Sequence, residues 1–523
     1  MKKALVMLLV VALLAGAFGF APARAGNIVI QMTIGSTKAY VNSKEVILDQ
    51  PPVIENGRTL VPFRFIGEAI GAKIDWDPVK KAVSYILEDT KIILIIGSTT
   101  AFVNGVATRL DVAPKILSGR TMVPVRFISE TIGAKVDWDS KTRMVTVTVS
   151  VKEKAPVKIG AAIALTGKYA TSGQYYKMAW DLAVDEINSE GGINGRKIQL
   201  ILIDDQSNPT NTANAYTKLI QENGVIATFG PFTTDCTVPA ANIVEKFKVP
   251  MLSAGSATAA LYQRGYKYYF GVFPPTDAYI PPIMETFNSL KDEVKTIAIS
   301  YESTDWGKEL SSKLKDAFTN AGFKVVVCEE RENGGMDYTP LLTKIKSLAP
   351  DAYLDAGHTT DEILLARQSK EIKFNPKIWY GGLTADYNFL KNIGAKDAEG
   401  VMGSIAYSSN AHTQGNRQFV DAFKKRYNVD DVEYHAGIAY AAAQVLFDAL
   451  KRAGNNLSPE AIRNAIAQTD METVIGRVKF DNTGKNMYSF MPLVQIQNGK
   501  YEVISPSTVA TAHIEFPKPA WGR

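Results

Sequence analysis

Two turns rich in hydroxyl side chains lie close together in the middle of the chain. An apolar run ending at Phe229 is followed by Pro-Phe-Thr-Thr-Asp-Cys-Thr at 231–237, and the run beginning at Pro250 is followed by Ser-Ala-Gly-Ser-Ala-Thr at 253–258. Hydroxyls and free amides at helix starts can hold a carboxylate without a formal positive charge. The two turns therefore predict a carboxylate site beyond the ends of two parallel strands, and the alternative is that the hydroxyls only cap their helices.

The sequence lacks the common motifs of catalysis. It contains no His-Glu-x-x-His, no phosphate-binding Gly-x-x-x-x-Gly-Lys-Ser/Thr, no Gly-x-Ser-x-Gly and no Cys-x-x-Cys. Its histidines are too scattered to suggest a metal cluster: His358, His412, His435 and His513. We therefore expect a protein without enzymatic activity, metal or cofactor.

The charge of the chain argues against a nucleic-acid partner. The formal net charge is +5 over 523 residues, and three of these charges (Lys2, Lys3 and Arg24) lie in a leader whose removal leaves +2. No Lys/Arg cluster forms a stripe that could follow phosphates. Cys236 and Cys328 are too few for a disulfide framework, and we expect both to be free thiols.

The N-terminus has the pattern of an export signal. Two lysines precede an uncharged apolar stretch from Ala4 to Ala21, and Ala23-Arg24-Ala25 has the small-x-small form of a cleavage site. We expect residues 1–25 to be removed and the protein to act in the periplasm or at the cell surface. The alternative is an uncleaved membrane anchor. With no cysteine near the cleavage site, the protein is not expected to be a lipoprotein.

The next 124 residues or so contain one unit twice. Gly-Ser-Thr-Lys-Ala-Tyr-Val-Asn from Gly35 recurs as Gly-Ser-Thr-Thr-Ala-Phe-Val-Asn from Gly97, and the same offset of 62 relates Trp76 to Trp138. Short alternating stretches flank one helix-like segment in each copy, with a proline in its first turn. The sequence therefore predicts two small β-rich modules with some helix, at 27–88 and 89–150.

This repeat resembles the copper amine oxidase-like N-terminal domain. Copper binding is nevertheless not expected, because no His or Cys occurs before Cys236. The paired Arg64/Arg126 and Trp76/Trp138 are predicted to be core or turn positions, and surface recognition is the alternative.

Beyond a charged, proline-broken linker at 151–157, apolar strands alternate with amphipathic helices. This alternation predicts two doubly wound parallel sheets, an α/β fold of two lobes with a crevice and a hinge. The two-lobed domain is predicted to span 158–510. Lobe 1 is expected at about 158–275 and 410–485, and lobe 2 at about 276–409 and 486–510.

Several motifs of this region occur together in one known family. They are Gly160-Ala-Ala-Ile-Ala-Leu-Thr-Gly167, Ala183-Val-Asp-Glu-Ile-Asn-x-x-Gly-Gly-Ile-Asn-Gly195, Asp204-Asp-x-x-Asn-Pro209 and Gly476-Arg-Val-Lys-Phe-Asp-x-x-Gly484. Over about residues 156–510 the chain resembles the leucine/isoleucine/valine-binding receptors of ABC transporters. The resemblance implies a type I periplasmic-binding-protein fold, a small-molecule ligand and membrane permease subunits as partners.

The resemblance also implies particular ligand contacts. The family's carboxylate-binding hydroxyl matches Thr234, and its second carboxylate-binding segment matches 255–258, with Ala257 and Thr258 as rivals for the family's threonine. Its aromatic lid from the second lobe matches Trp306. The complete set of expected ligand-binding residues is Ser172, Thr234, Gly255, Ser256, Ala257, Thr258, Trp306, His358 and Asp386.

The chain departs from the family pattern at the ligand's ammonium group. The family's tyrosine there matches His358, and its acidic residue matches Gly382. A buried ammonium without a carboxylate is costly, and Asp386 in the same loop could supply the charge. The family's disulfide is also missing, because its positions match Ser207 and Thr233.

The sequence thus predicts an exported solute-binding receptor for an amino acid, branched-chain or related, which closes its lobes on the ligand. A receptor for an aromatic or aliphatic carboxylate without an amine is the first alternative. A cell-envelope attachment or sensor protein that uses the N-terminal repeats is the second, and a hydrolase on the same scaffold is the third. The sequence does not identify the ligand.

Overall fold

A computed structural model describes residues 26–87, 90–151 and 154–522 of the chain. The chain divides into two compact units, Met1–Ala155 and Pro156–Arg523. The predicted signal peptide at 1–25 lies outside the described residues. Within the described ranges, no helix has both the length and the apolar character needed to cross a membrane.

The N-terminal unit is built of short strands and two short helices. Its strands are β1 (Gly26–Thr33), β2 (Lys38–Val41), β3 (Lys44–Ile47), β4 (Val53–Glu55), β5 (Arg58–Pro62), β6 (Lys73–Asp77), β7 (Ala82–Leu87), β8 (Thr90–Ile95), β9 (Thr100–Val103), β10 (Val106–Arg109), β11 (Lys115–Leu117), β12 (Arg120–Pro124), β13 (Lys135–Asp139) and β14 (Met144–Val151). Its helices are α1 (Phe63–Ala69) and α2 (Val125–Thr131), and each directly follows a proline.

The two sequence repeats interlock in the N-terminal unit. The sheets have the orders β13-β14-β1-β2-β3, β10-β9-β8-β7-β6 and β11-β12-β5-β4, so every sheet combines strands from both repeats. Two equivalent ion pairs join the copies, Arg58 to Asp111 at 2.7 Å and Arg120 to Asp49 at 2.8 Å. The repeat of 62 residues is therefore visible in the structure as an approximate internal symmetry.

The predicted core or turn role of the paired Trp and Arg residues is wrong. Trp76 and Trp138 are 41% and 42% exposed, and Arg64 and Arg126 are exposed on α1 and α2. The tryptophans lie on β6 and β13, the edge strands of the two five-stranded sheets. Both indoles are therefore partly in solvent at the borders of their sheets.

The second unit alternates strands and helices. Its strands are β15 (Val157–Ile163), β16 (Ile198–Asp204), β17 (Ala227–Phe229), β18 (Met251–Ser253), β19 (Tyr269–Gly271), β20 (Thr296–Glu302), β21 (Lys324–Arg331), β22 (Ala352–Ala356), β23 (Ile378–Gly381), β24 (Met402–Ser404), β25 (Asp470–Thr473), β26 (Gly476–Lys479), β27 (Leu493–Gln497) and β28 (Lys500–Ser505). Its helices are α3 (Ala170–Ser189), α4 (Pro209–Gln221), α5 (Thr234–Phe247), α6 (Ile280–Ser289), α7 (Asp305–Asn320), α8 (Thr339–Ser347), α9 (Thr359–Glu371), α10 (Tyr387–Ile393), α11 (Ala395–Ala398), α12 (Asn416–Tyr427), α13 (Tyr434–Ala453) and α14 (Pro459–Ala467).

The predicted pair of doubly wound parallel sheets is confirmed. The first sheet has the order β16-β15-β17-β18-β19, and the second begins with the equivalent order β21-β20-β22-β23-β24. In the second sheet β27 and β28 extend the edge in antiparallel fashion. In each lobe the order reverses at the first strand, and the crevice beyond the strand ends at such a point is where ligands of open α/β sheets bind.

Three segments connect the lobes: 272–279, 405–415 and 480–492. After the second crossing, α12 and α13 belong to the first lobe, and the indole N–H of Trp180 on α3 donates to the Ala439 carbonyl on α13 at 3.1 Å. Trp180 also stacks on Phe229 at the end of β17, with ring centroids 4.8 Å apart. These contacts hold the end of β17 against α3, and α3 against α13.

Cys236 and Cys328 are both free.

Candidate functional site

The first hydroxyl-rich turn joins β17 to α5. Thr233 caps the helix from a positive φ of 74°, and its side chain accepts a hydrogen bond from the Cys236 N–H at 3.5 Å. Thr234 begins the helix and is buried, with 3% exposure. The first backbone N–H groups of a helix have no acceptor within it, so this turn presents donors beside the Thr234 hydroxyl.

The second turn meets the first after β18. Gly255 accepts a hydrogen bond from the Thr233 N–H at 3.1 Å. A Cβ at Gly255 would lie 2.7 Å from the Pro231 carbonyl oxygen, so only glycine allows this approach. The turns bring the Thr234 and Ser256 hydroxyls to 3.3 Å. Two of the sequence-predicted residues therefore form one hydroxyl pair at the start of α5.

Thr258 has other partners. Its hydroxyl donates to the Glu309 carboxylate on α7 of the other lobe, and its oxygen accepts from the Ala260 N–H at 3.2 Å. Glu309 also accepts from the Ala259 N–H at 3.0 Å. Thr258 thus joins the two lobes, while its rival Ala257 is buried beside it.

Trp306 enters the site from the second lobe. It is the second residue of α7, which Thr304 caps by accepting a hydrogen bond from the Gly307 N–H at 3.1 Å. Its indole is 4% exposed. A Cβ at Gly382 would lie 2.9 Å from Cη2 of this indole. The position that matches the family's acidic residue therefore faces an aromatic ring, and glycine is what fits there.

His358 follows β22 and is held by a buried carboxylate. Its Nδ1 lies 2.7 Å from Glu302 Oε1, and its backbone N–H donates to Glu302 Oε2 at 3.1 Å. Thr304 Oγ1 donates to Glu302 Oε1 at 2.6 Å. Burial raises the pKa of Glu302, but the charge and hydrogen bond of His358 outweigh burial and lower that pKa below its usual value. Glu302 is therefore an ionised acceptor at neutral pH.

Aromatic rings from both lobes surround His358. Its ring centroid lies 5.1 Å from Tyr169, 5.7 Å from Phe232 and 5.2 Å from Trp306. Direct hydrogen bonds accompany these contacts between lobes: Asn333 Nδ2 donates to the Tyr169 hydroxyl at 2.9 Å, and the Asp305 N–H donates to Asp235 at 3.2 Å. The lobes are thus in direct contact through these aromatic rings and two hydrogen bonds.

A second group of titratable residues lies at the start of α13. Glu433 caps this helix, accepting from the His435 N–H at 2.8 Å, and its Oε1 lies 2.8 Å from His435 Nδ1. The His435 ring is 4.8 Å from Phe232, and its buried Nε2 has no hydrogen-bond partner among the described residues. Burial lowers the pKa of His435 to about 3, so its imidazole is neutral.

Asp386 belongs to the same region. Its carboxylate caps α10 by accepting from the Asn388 N–H at 2.7 Å, and the residue is 3% exposed. Burial, followed by the nearby Glu433, raises the pKa of Asp386 to about 7. A large part of this carboxyl group is therefore protonated at neutral pH.

A buried arginine supports the loop that carries His358. Arg331 donates through Nη2 to Asp355 at 2.7 Å and through Nη1 to Asp361 at 2.7 Å. Asp355 is the penultimate residue of β22 and Asp361 lies in the first turn of α9, on either side of His358. The pair of aspartates raises the pKa of Arg331 against the effect of burial. The triad fixes the backbone from which the imidazole projects.

The structure brings some of the sequence-predicted residues together. Thr234, Gly255, Ser256, Trp306 and His358 all lie at the facing ends of the two sheets. Ser172 lies in the first turn of α3 and is not part of the hydroxyl pair. The residues that sequence reasoning missed are Tyr169, Phe232, Glu302, Arg331, Glu433 and His435. Glu302 had one available signal, because it ends a strand two residues before a helix cap.

Two family models match the chain. The model of the periplasmic binding protein family matches residues 156–500, and that of the copper amine oxidase N-terminal domain matches 20–68 and 44–147. Among characterised sequences, the chain is 28% identical over 389 residues to the Leu/Ile/Val-binding protein homolog 8 of Brucella abortus. That alignment covers 71% of this chain and 96% of the Brucella protein.

Solved structures share the fold of the second unit. The branched-chain amino acid transporter substrate-binding protein LivJ of Streptococcus pneumoniae, in complex with isoleucine, superposes with a TM-score of 0.61 at 24% identity, covering 69% of this chain and all of that one. A solute-binding protein of Rhodopseudomonas palustris in complex with 3,4-dihydroxybenzoic acid superposes with a TM-score of 0.59 at 22% identity, covering 65% of this chain and 93% of that one. At these identities the likeness establishes the type I periplasmic-binding-protein fold.

Proposed function

The chain belongs to the periplasmic binding protein family, and from this premise we propose that it is the extracytoplasmic receptor of an ABC transporter for an amino acid, branched-chain or related. The ligand binds between the two lobes, and the closed form is read by the permease subunits in the membrane. A membrane sensor would recognise the same closed form. We propose that residues 1–25 act as the leader for export.

The hydroxyl pair of Thr234 and Ser256 is the observation that carries the proposal. Both side chains are buried at the N-terminus of α5, where the helix dipole and unbonded N–H groups favour an anion. An α-carboxylate is the small anion that suits such a neutral cradle. The aromatic wall of Tyr169, Phe232 and Trp306 suits an apolar side chain next to it.

The charges near His358 favour a ligand that also carries an ammonium group. Glu302 is ionised behind the imidazole, and Asp235 on α5 is close enough to feel both Glu302 and His358. Glu302 and Asp235 are therefore the acidic groups available to an ammonium on this side of the site. A zwitterion would place its carboxylate at the Thr234 and Ser256 hydroxyls and its ammonium near Asp235 and Glu302.

A second candidate is a receptor for an aromatic or aliphatic carboxylate without an amine. The packing of Gly382 against the Trp306 indole favours it, because no acidic side chain fits at that position. The carboxylate cradle and the aromatic wall serve such a ligand equally well. The two candidates differ in whether the amine improves binding.

A paired ligand panel tests the proposal. Thermal unfolding of the whole protein is measured with leucine, isoleucine, valine and other amino acids, each beside its des-amino analogue. A ligand at 100 times its dissociation constant adds about 2.7 kcal/mol to the stability of the folded protein. We expect amino acids to stabilise the protein and their analogues to do so less. Equal or greater stabilisation by the des-amino acids would favour the second candidate.

Replacing Thr234 with alanine is expected to weaken the binding of the tightest amino acid by about 1.5–3 kcal/mol, the usual contribution of a hydrogen bond to a charged group. Calorimetric titration measures the change. Thr319→Ala, at an exposed position on α7, is the matched control and should leave affinity unaltered. A dissociation constant that Thr234→Ala leaves unchanged would remove this hydroxyl from the site.

We further propose that the N-terminal unit contacts the cell envelope, supported by the exposed Trp76 and Trp138 on its edge strands.

Neither repeat contains the carboxylate cradle. A chain that starts at Val157 is therefore expected to bind the ligand with the same dissociation constant as the whole protein. Calorimetry on both chains makes the comparison, and a large loss of affinity on removal of residues 27–150 would show that the repeats contribute to the pocket.

A further inference from the structure

One carboxylate of the second lobe is bonded to the end of the second hydroxyl-rich turn of the first lobe. Glu309 on α7 accepts the Ala259 N–H at 3.0 Å and accepts from the hydroxyls of Thr258 and Thr276. Thr276 lies in the first segment that connects the lobes, and its N–H donates to the Ala257 carbonyl at 2.7 Å. Three donors from outside the second lobe therefore converge on one carboxylate.

This contact is part of a longer line of contacts along α7. Asp305, Glu309 and Lys313 are spaced four residues apart, so they lie on one face of the helix. The Asp305 N–H donates to Asp235 of the first lobe at 3.2 Å, and Lys313 forms an ion pair with Asp277 in the first connecting segment. This face of α7 therefore follows the first lobe from the start of α5 to the connecting segment, with Glu309 between its two ends.

We propose that Glu309 is a latch between the lobes, a positioning residue that stabilises the closed form and thereby sets the affinity for every ligand. Moving the lobes apart separates α7 from Thr258 and Ala259, so opening breaks at least these two hydrogen bonds. Hydrogen bonds to a carboxylate contribute more than those between neutral groups. The inference rests on the proposed closure of the lobes around a ligand, and it holds for either class of ligand.

The latch also changes the role of the second turn. The resemblance to the family matched 255–258 to a carboxylate-binding segment, yet the Thr258 hydroxyl donates to Glu309. The Ala259 N–H donates to the same carboxylate. A carboxylate of the protein thus occupies two donors that a ligand's carboxylate could otherwise use. The ligand's carboxylate is left with the hydroxyl pair at the start of α5.

Two measurements on the full chain test the latch by comparing the wild-type protein with Glu309→Ala. The first is hydrogen exchange of the Asp305 amide without added ligand, because this amide loses its acceptor, Asp235 of the other lobe, when the lobes open. The second is the calorimetric dissociation constant of L-leucine and of its des-amino analogue 4-methylpentanoate, since a ligand held by the closed form binds more weakly as the closed population falls. The product of the two fold-changes equals the factor by which the closure constant falls.

We expect this product to be about 10, because the closed form loses hydrogen bonds to a charged group, and we expect the same loss of affinity for both ligands. The His358 amide, bonded to Glu302 within the second lobe, should exchange at the wild-type rate, whereas a general loss of stability would accelerate its exchange as well. Asp316→Ala changes an exposed acid on the same helix and should give a product of about 1. A product of about 1 for Glu309→Ala overturns the inference.

Thr258→Ala separates the latch from a direct contact with the ligand. It removes one donor to Glu309, so alone it should give a product of about 3, and in the Glu309→Ala background it should add nothing. The single variant also takes the place of Glu309→Ala if the latter does not fold. A further loss of affinity in the double variant would place the Thr258 hydroxyl on the ligand and overturn the inference.

Failure of the proposed function is a separate outcome. If the wild-type protein prefers 4-methylpentanoate to leucine, the amino-acid assignment fails, and the product measured with 4-methylpentanoate still tests the latch. If neither compound binds, the Asp305 amide alone decides, and an exchange rate that Glu309→Ala leaves unchanged overturns the inference.

Discussion

Replacing Arg331 with methionine is expected to lower the free energy of unfolding by about 3–5 kcal/mol, because the substitution leaves two buried aspartates without their cation. The Arg331 and Asp355 side chains are 2% and 0% exposed, and Asp361 is 6% exposed. Asp355 receives two hydrogen bonds from the guanidinium, from Nε at 2.9 Å and Nη2 at 2.7 Å. Methionine fills much of the same volume, so the loss reports the charge and its hydrogen bonds more than a cavity.

Urea denaturation at neutral pH measures this effect. Arg426→Met is the matched control, because Arg426 pairs with Asp185 at 2.6 Å while their side chains are 36% and 61% exposed. Such a surface pair contributes about 0–1 kcal/mol. If Arg331→Met costs no more than Arg426→Met, the triad does not stabilise the fold, and its role in holding the His358 loop loses its physical basis.

The sequence predicted the fold class because that information is local and periodic. Alternating strands and helices after Val157 indicated two parallel sheets, and the 62-residue offset indicated the internal repeat. The sequence did not predict that β1 pairs with β14, at the far end of the second repeat. Pairing between strands more than 100 residues apart depends on tertiary packing. The repeat pattern in the sequence does not indicate which strands pair.

The candidate site was predictable where it lies at strand ends and turns. Thr234 and Ser256 follow two apolar runs, and the structure brings their hydroxyls to 3.3 Å. Phe232 has no distinguishing sequence pattern, although its ring contacts Tyr169, His358 and His435. Glu302 and His358 are 56 residues apart in sequence and become partners only because β20 and β22 are neighbours in the sheet. The resemblance to the family pointed to His358, but no sequence pattern pointed to its partner Glu302.

For the tryptophans of the two repeats, the sequence led to a wrong prediction of their burial. A recurring Trp in a small β-rich unit suggests a core residue, because tryptophan has a large apolar area. Both residues lie on edge strands, where part of the ring remains in solvent. Neither the type of residue nor its spacing distinguishes an edge strand from a central one, and strand order is again a tertiary property.

Asp386 and Glu433 are expected to make the unliganded protein less stable as the pH rises. Burial, with Glu433 nearby, raises the pKa of Asp386 from 3.8 to about 7, and burial raises the pKa of Glu433 from 4.5 to about 8. Between about pH 4 and pH 8 the folded state therefore binds protons that the unfolded chain has released. Stability falls with pH wherever the folded state binds more protons, so the contribution of these two groups is complete below about pH 4 and is lost as pH passes through 7 and 8.

The size of this effect follows from the two shifts. Each pKa unit corresponds to about 1.4 kcal/mol, so together the two acids are expected to lower the free energy of unfolding by about 7 kcal/mol between pH 5 and pH 9. Other groups oppose part of this change: the pKa of Lys518 is lowered by burial to about 7, and that of His435 to about 3. A depressed pKa in a base gives stability that rises with pH. The measurement must therefore compare the wild-type protein with a variant in which only the two acids are changed.

Urea denaturation of the wild-type protein and of the double variant Asp386→Asn/Glu433→Gln, at several pH values from about 5 to 9, isolates the two carboxyl groups. The difference in unfolding free energy between the two proteins should shift steadily against the wild type as the pH rises. The control variant Asp292→Asn/Asp421→Asn changes two acids whose side chains are 103% and 72% exposed, and its difference from the wild type should stay constant with pH. A constant difference for the buried pair as well would mean that water or a rearrangement at the α10 and α13 caps solvates both carboxylates. In that case Asp386 would be fully charged at neutral pH and available as a counter-charge for a ligand's ammonium group.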